Sequence, residues 1–297
     1  MALATVVITT LASAILAAGE GRVTVPRPVL LMYGYDDTLE GGLRNRPTWE
    51  KVVEIFTVIE GKAHDPGFVK SLRQRGKVFA YHVSNTIDEN HRTVEDFVSA
   101  WSEPFGNNLR GELPGGFDAI MIDEFHPYPD GTAASQLQIA SLGRLRQRYP
   151  ERLILASGSP SLGQGDGRYS FDLTLKSIGQ FADVYVQENY QRESSPRFDA
   201  FELMTKNIDR ASPGLMKKTI FALLIAQTPP YNADDNPNLE FSEFLEAQIR
   251  SIKSGQLSGQ TPGIAYWVFY RSQPETIQSV VQLTAKYFVS LNPPAHR

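Results

Sequence analysis

Gly116-Phe117-Asp118-Ala119-Ile120-Met121-Ile122-Asp123-Glu124-Phe125 is an apolar run too short for a stable helix, and it ends abruptly in two adjacent carboxylates. Short apolar runs bounded by turn residues read as buried strands. In a barrel of parallel strands the chemistry gathers where the strands leave the sheet, at their carboxyl ends. Acids in that position read as reactive before they read as solvated. A second segment, Ala182-Asp183-Val184-Tyr185-Val186-Gln187-Glu188-Asn189-Tyr190, repeats the pattern with Glu188 as its closing acid. Two such strands predict one shared cleft.

Outward from these two segments, apolar runs alternate with amphipathic ones along the whole chain. Strands are expected at Val29 to Tyr35, Phe56 to Ile59, Val78 to Val83, Ala119 to Asp123, Leu153 to Ser157, Val184 to Glu188, Thr219 to Ala226 and Gly263 to Phe269. Apolar spacing near three and four predicts helices over Pro66 to Arg75, Thr93 to Trp101, Ala133 to Arg148, Leu175 to Phe181, Phe198 to Arg210, Phe241 to Ser254 and Pro274 to Tyr287. Strands alternating with helices in this number predict an α/β fold, a single-domain (β/α)8 TIM barrel over residues 23–297. An open doubly wound sheet would carry a glycine-rich phosphate turn after its first strand. Tyr33-Gly34-Tyr35-Asp36 is not such a turn.

Composition narrows the partners. Apolar residues make up 41% of the 297 and charged ones 21%, the balance of a globular chain with a sizeable core. The net charge is -4 and Lys and Arg are scattered singly, which offers nucleic acid no basic face. Cysteine is absent, so disulfides, thiolate metal sites and cysteine nucleophiles are excluded. Residues 1–22 hold the uncharged stretch Ala2 to Ala18, followed by Gly19-Glu20-Gly21. It reads as the core of a secretory signal peptide, which predicts a secreted or periplasmic protein, or as an extra element at the base of the fold. Its Thr and Ser content argues against stable membrane insertion. Nothing in the sequence fixes an oligomeric state.

Strand ends and the loops after them supply the candidate site. They offer Tyr35, Asp36, His82, Gln187, Asn189, Tyr190, Gln227 and Trp267, with Glu60 and Ser157 at further strand ends and His126 and Tyr128 in the loop after the fourth strand. Polar groups for hydroxyls and flat rings for the apolar face of a pyranose make this a surface suited to sugars, and a polysaccharide or oligosaccharide is the expected partner. Tyr169 and Tyr231 extend the walls of such a groove. Glycosidic bond cleavage uses one carboxylic acid to protonate the leaving oxygen and one carboxylate as nucleophile or base. Asp123, Glu124 and Glu188 are the candidates. Asp123 shares the parity of Met121 and Glu124 that of Ile122, so apolarity does not decide which faces inward. Phe125 and Pro127 give Glu124 an apolar wall, so it is expected to hold the proton; Gln187 and Asn189 flank Glu188, the expected ionised partner.

No cofactor and no metal are expected. His126 lies near Asp123 and Glu124, but no further His stands at ligand spacing. The oxygen-rich loop Asn232 to Glu240 lacks the glycine and alternation of a calcium loop and reads as a solvated loop on the substrate side. Ser157 lacks the frame of a nucleophile elbow.

The pattern Phe-Asp-Ala-Ile-Met-Ile-Asp-Glu at 117–124, with Val-Gln-Glu-Asn-Tyr at 186–190, resembles the strand-four DGIFFDE and strand-six FE-(N/S)-x-Y signatures of spherulin-type glycoside hydrolases and the related endo-galactosaminidases. The resemblance implies a (β/α)8 barrel that cuts galactosamine-containing microbial exopolysaccharide from within, with Asp123, Glu124 and Glu188 as its acidic set. Ala119 replaces the family's Gly, and Leu155-Ala156-Ser157-Gly158 stands where an Asn-Pro-Gly turn is expected, departures that bear on the substrate. Chitinase-type barrels also carry strand-four acids, spaced D-x-D-x-E for a substrate-assisted mechanism; Asp118, Asp123 and Glu124 do not share that spacing. A carbohydrate-binding barrel that no longer cuts is the remaining alternative.

Overall fold

Strands that are apolar on both faces must be covered on both, and this chain closes them into a ring. The computed structural model describes residues 23–34, 47–88, 91–125, 128–159, 170–227, 232–254, 260–267 and 271–289. Within these, strands β1 (Val29–Tyr33), β2 (Val58–Gly61), β3 (Val78–Val83), β4 (Ala119–Ile122), β5 (Leu153–Gly158), β6 (Val184–Glu188), β7 (Thr219–Leu224) and β8 (Gly263–Trp267) form a closed barrel in sequence order, every pair parallel. Helices α1 (Trp49–Ile55), α2 (Pro66–Gln74), α3 (Val94–Gly106), α4 (Ala133–Arg148), α5 (Asp172–Phe181), α6 (Asp199–Ala211), α7 (Phe241–Ser254) and α8 (Pro274–Thr284) surround it. This is the (β/α)8 barrel expected from the sequence. No described helix is long and apolar enough to cross a membrane. Ala2 to Ala18 lies outside the described residues.

Local chemistry sets the helix starts. Asp65 accepts from Gly67 N at 2.8 Å, with Pro66 at the first turn of α2. Thr93 and Asp96 form a reciprocal capping box at α3, and Thr132 accepts from Ser135 N at 3.1 Å at α4. Helix α1 has no counterpart in the sequence reading, which started a strand at Phe56. The chain is still helical there: Trp49, Val52 and Val53 bury one face, and Phe56 is the residue that ends the helix.

Two apolar layers result. Val29, Leu31, Ala119, Met121, Leu153, Leu155, Val184, Val186, Ile220, Ala222 and Ala265 fill the barrel interior. Ile120, Ile122, Ile154, Ala156, Tyr185, Phe221 and Tyr266 pack outward against the helices. Closure requires one glycine: a Cβ on Gly263 would stand 1.7 Å from the Val29 carbonyl oxygen across the β8–β1 seam.

Candidate active site

The interior layer decides a parity that the sequence left open. Ala119 and Met121 face the barrel axis while Ile120 and Ile122 face the helices, so Asp123, the next residue of the inward series, projects into the mouth. The same parity and the strand registers bring one inward residue from each strand to this level: Tyr33, Glu60, His82, Asp123, Ser157, Glu188, Leu224 and Trp267. The ring climbs two residues at four of its eight junctions, the stagger of a TIM barrel.

Asp123 and Glu188 meet through Ser157. The Ser157 hydroxyl donates to Asp123 Oδ1 at 3.0 Å and also lies close enough to Glu188 to favour its ionised form. Burial, then the Asp123 charge, push the Glu188 carboxyl up to about 8, against hydrogen bonds from Tyr190 and Ser157 that oppose the shift. Asp123 is also held above its usual range, first by burial, while the nearby His82 pulls it back down. Glu124 adds negative charge to both. Among the described residues no Lys or Arg pairs with Asp123 or Glu188.

Strand β4 ends at Ile122, and the chain turns sharply. Asp123 N donates to Val83 O at 3.0 Å and Phe125 N to Ser157 O at 2.7 Å, which pins the turn between β3 and β5. Glu124 sits between them in the left-handed region (φ 50°), exposed, with its carbonyl accepting from Asn85 Nδ2 at 3.1 Å. Phe125 returns to the helix-facing core, fully buried. The apolar wall therefore belongs to Phe125 and turns away from Glu124, while the half-buried Glu188 is the carboxyl raised to about 8.

On the other side of the mouth Tyr190 arches back over the barrel. Its hydroxyl lies 2.7 Å from the Tyr33 hydroxyl, and its ring stacks on Trp267 with centroids 4.3 Å apart and planes at 15°. Burial and the Glu188 charge hold both tyrosine hydroxyls protonated far above the ordinary range. One face of Trp267 is therefore taken by Tyr190. His82 joins the ring through its Nδ1, 2.7 Å from Glu60 Oε1, and Glu60 Oε2 accepts from Gly34 N at 3.0 Å.

Two residues expected to bind substrate have other work. Gln187 has the outward parity and is fully buried; its Oε1 accepts from the Tyr185 hydroxyl at 2.7 Å and its Nε2 donates to Glu188 O at 2.9 Å. Gln227 spends its amide on Asp234 Oδ2 at 2.8 Å, Gln273 N at 3.0 Å and the Thr276 hydroxyl, tying the loop after β7 to the start of α8. The loop from Asn232 is anchored as well. Asp235 accepts from Ser194 N and Oγ, and Asn236 N donates to Glu193 Oε2. Asn189 is buried with its amide nitrogen unpartnered among the described residues. Tyr128 is partly buried near Asp130, whose carboxylate caps α5 through Leu173 N and Thr174 N. Tyr35, Asp36, His126, Tyr169 and Tyr231 lie outside the described residues. No group of three or more His, Asp or Glu among the described residues is placed to hold a metal ion.

Tyr33, Glu60 and Ser157 are members of the ring that the expected set lacked or left in the background. Tyr33 was hidden by reading the first strand on to Tyr35. The signal that finds all three is the count back along each strand by twos from an inward residue.

No protein-family model matches the chain, and no curated protein matches it by sequence. Solved structures do match in fold. A chitinase from Bacteroides thetaiotaomicron superposes with a TM-score of 0.60 at 11% identity, over 91% of this chain and 99% of that one. A GH18 chitinase from Pseudoalteromonas aurantia gives 0.52 at 15%, over 85% and 99%. A glucosidase from Croceicoccus marinus gives 0.53 at 12%, over 89% and 68%. At these identities the likeness is one of fold.

Proposed function

We propose that the chain is a glycoside hydrolase that cuts within polysaccharide chains, with Glu188 as proton donor and Asp123 as its ionised partner. One observation carries this reading. Two inward acids at the carboxyl ends of β4 and β6 lie on either side of Ser157 with no Lys or Arg partner; burial raises both, and His82 draws Asp123 back down while Glu188 stays at about 8. A purely structural acid in such a place would be paired. Tyr33, Tyr190 and Trp267 supply the aromatic side of a sugar subsite. Chitinases and a glucosidase share the fold, which is consistent with the reading.

The motif resemblance extends the proposal to an amino-sugar-containing microbial exopolysaccharide. A polymer of that size meets its enzyme outside the cytoplasm, in keeping with a secreted or periplasmic protein. A chitinase-type arrangement is less well supported: positions 121, 123 and 125 read Met, Asp and Phe, so the alternating acids are missing. Reducing-end release from a panel of microbial and plant polysaccharides tests the proposal, with Asp123→Asn and Glu188→Gln as controls. Release by the parent that both variants lose supports it. Equal release by all three, or none by the parent on any polymer, overturns it.

A further inference from the structure

We infer that Glu60 and His82 are a positioning pair that acts through Asp123: the buried carboxylate on β2 fixes the imidazole on β3 as a cation beside Asp123, so that Asp123 ionises and Glu188 keeps the proton. The inference rests on the glycosidase reading for its catalytic meaning, and on strand register and the Glu60–His82 contact for the coupling.

Glu60 is fully buried, and both of its oxygens accept, one from a backbone N–H and one from the imidazole. With Nδ1–H committed to Glu60, Nε2 is the atom whose protonation changes the charge of the ring. Register places the three side chains on a diagonal. Glu60 lies level with Ala80, two residues below His82, and His82 lies level with Met121, two residues below Asp123. A buried carboxylate without a cation is costly, and a histidine cation is the remedy available to Glu60. That cation then favours a second carboxylate on its other side.

The charged groups that bear on His82 are Glu60 and Lys62 from the end of β2 and Asp123 from β4. His91 and Glu103 line the cavity of about 230 Å³ that His82 also borders on the α3 side. Burial alone would lower His82, and Lys62 acts with it. The hydrogen bond to Glu60, with the Glu60 and Asp123 charges, outweighs both and leaves the imidazole raised above its ordinary value. The cation therefore persists to higher pH than a free imidazole would hold it.

Histidine C–H resonances followed against pH by NMR, with His82 assigned from His82→Asn, test the coupling without a substrate. The expected midpoint for His82 lies above 6.5 in the parent, the ordinary value. It falls by about one to two pH units in Glu60→Gln and falls also in Asp123→Asn. On a cut polysaccharide, Glu60→Gln should move the alkaline limb of kcat/KM to lower pH and reduce kcat more than KM, because Asp123 loses its cation sooner. A His82 midpoint indifferent to Asp123→Asn overturns the inference, whatever the chain cuts. If Glu60→Gln does not fold, the partly exposed Asp123 reads the same coupling from the other side. A polymer panel with no product leaves the titration intact and defeats the glycosidase reading alone.

Discussion

Strands β4 and β6 each carry an acid at both ends, and the two ends could hardly differ more. At the amino ends, Asp118 meets Arg73 Nε at 2.7 Å and Arg152 Nη1 at 3.8 Å, and Asp183 is ion-paired with Arg146 while accepting from Ile154 N at 2.9 Å. At the carboxyl ends, Asp123 and Glu188 have Ser157 between them and no arginine. Charge that is neutralised by a fixed partner holds the barrel together. On the proposed reading, an acid without an arginine keeps the proton that reacts. The difference separates the stabilising floor of this barrel from its chemical mouth, as the fold leads one to expect.

The largest effect should come from the mouth. Asp123→Asn and Glu188→Gln should each lower turnover on a cleaved polysaccharide by about a thousandfold or more, as loss of an essential acid or base does, with thermal stability kept within about 1 to 2 kcal/mol of the parent. Equal turnover losses from Asp183→Asn in the folded protein would break the comparison.

Stability should follow the opposite order. Asp183→Asn leaves the mostly buried Arg146 without its counter-charge, at a cost of about 3 kcal/mol measured by denaturant unfolding. The pH dependence sharpens this further. Glu188 binds its proton more tightly folded than unfolded, so its contribution is fully present below about 4.5 and is lost as pH rises through about 8. Unfolding free energy of the parent should therefore decline across that window, and Glu188→Gln should flatten the decline. Asp118→Asn belongs at the bottom of the scale. Its side chain is 30% exposed, and the loss should be about 1 kcal/mol or less, with turnover unchanged.

Most of this fold was legible in the sequence because parallel strands are short, doubly apolar and separated by helices of regular spacing. β3 and β6 fall at the boundaries their residues predict, and α4 and α7 do as well. Helix α1 was not legible, since Phe56 continues its apolar spacing and also resembles a strand start. The site was legible as a set of strand ends and illegible as a geometry. Ala119 to Ile122 is apolar on both faces, so the inward direction of Asp123 emerges only from packing. Gln187 and Gln227 show the converse: polar residues near strand ends that are spent on structure, Gln187 on Tyr185 of its own strand and Gln227 on Thr276 of α8. The Glu60–His82 pair depends on register between strands, which the sequence does not state.

The central claim is that one proton resides on Glu188 in the mouth of the barrel while its neighbour ionises. Infrared difference spectra of the carboxyl region, recorded against pH on the parent and on Glu188→Gln, measure that directly. A protonated carboxyl band that persists through neutral pH, titrates near 8 and disappears in Glu188→Gln is the predicted result. A parent whose carboxyl bands are all gone by about pH 6, with none assigned to Glu188 above the ordinary carboxylate range, would contradict it.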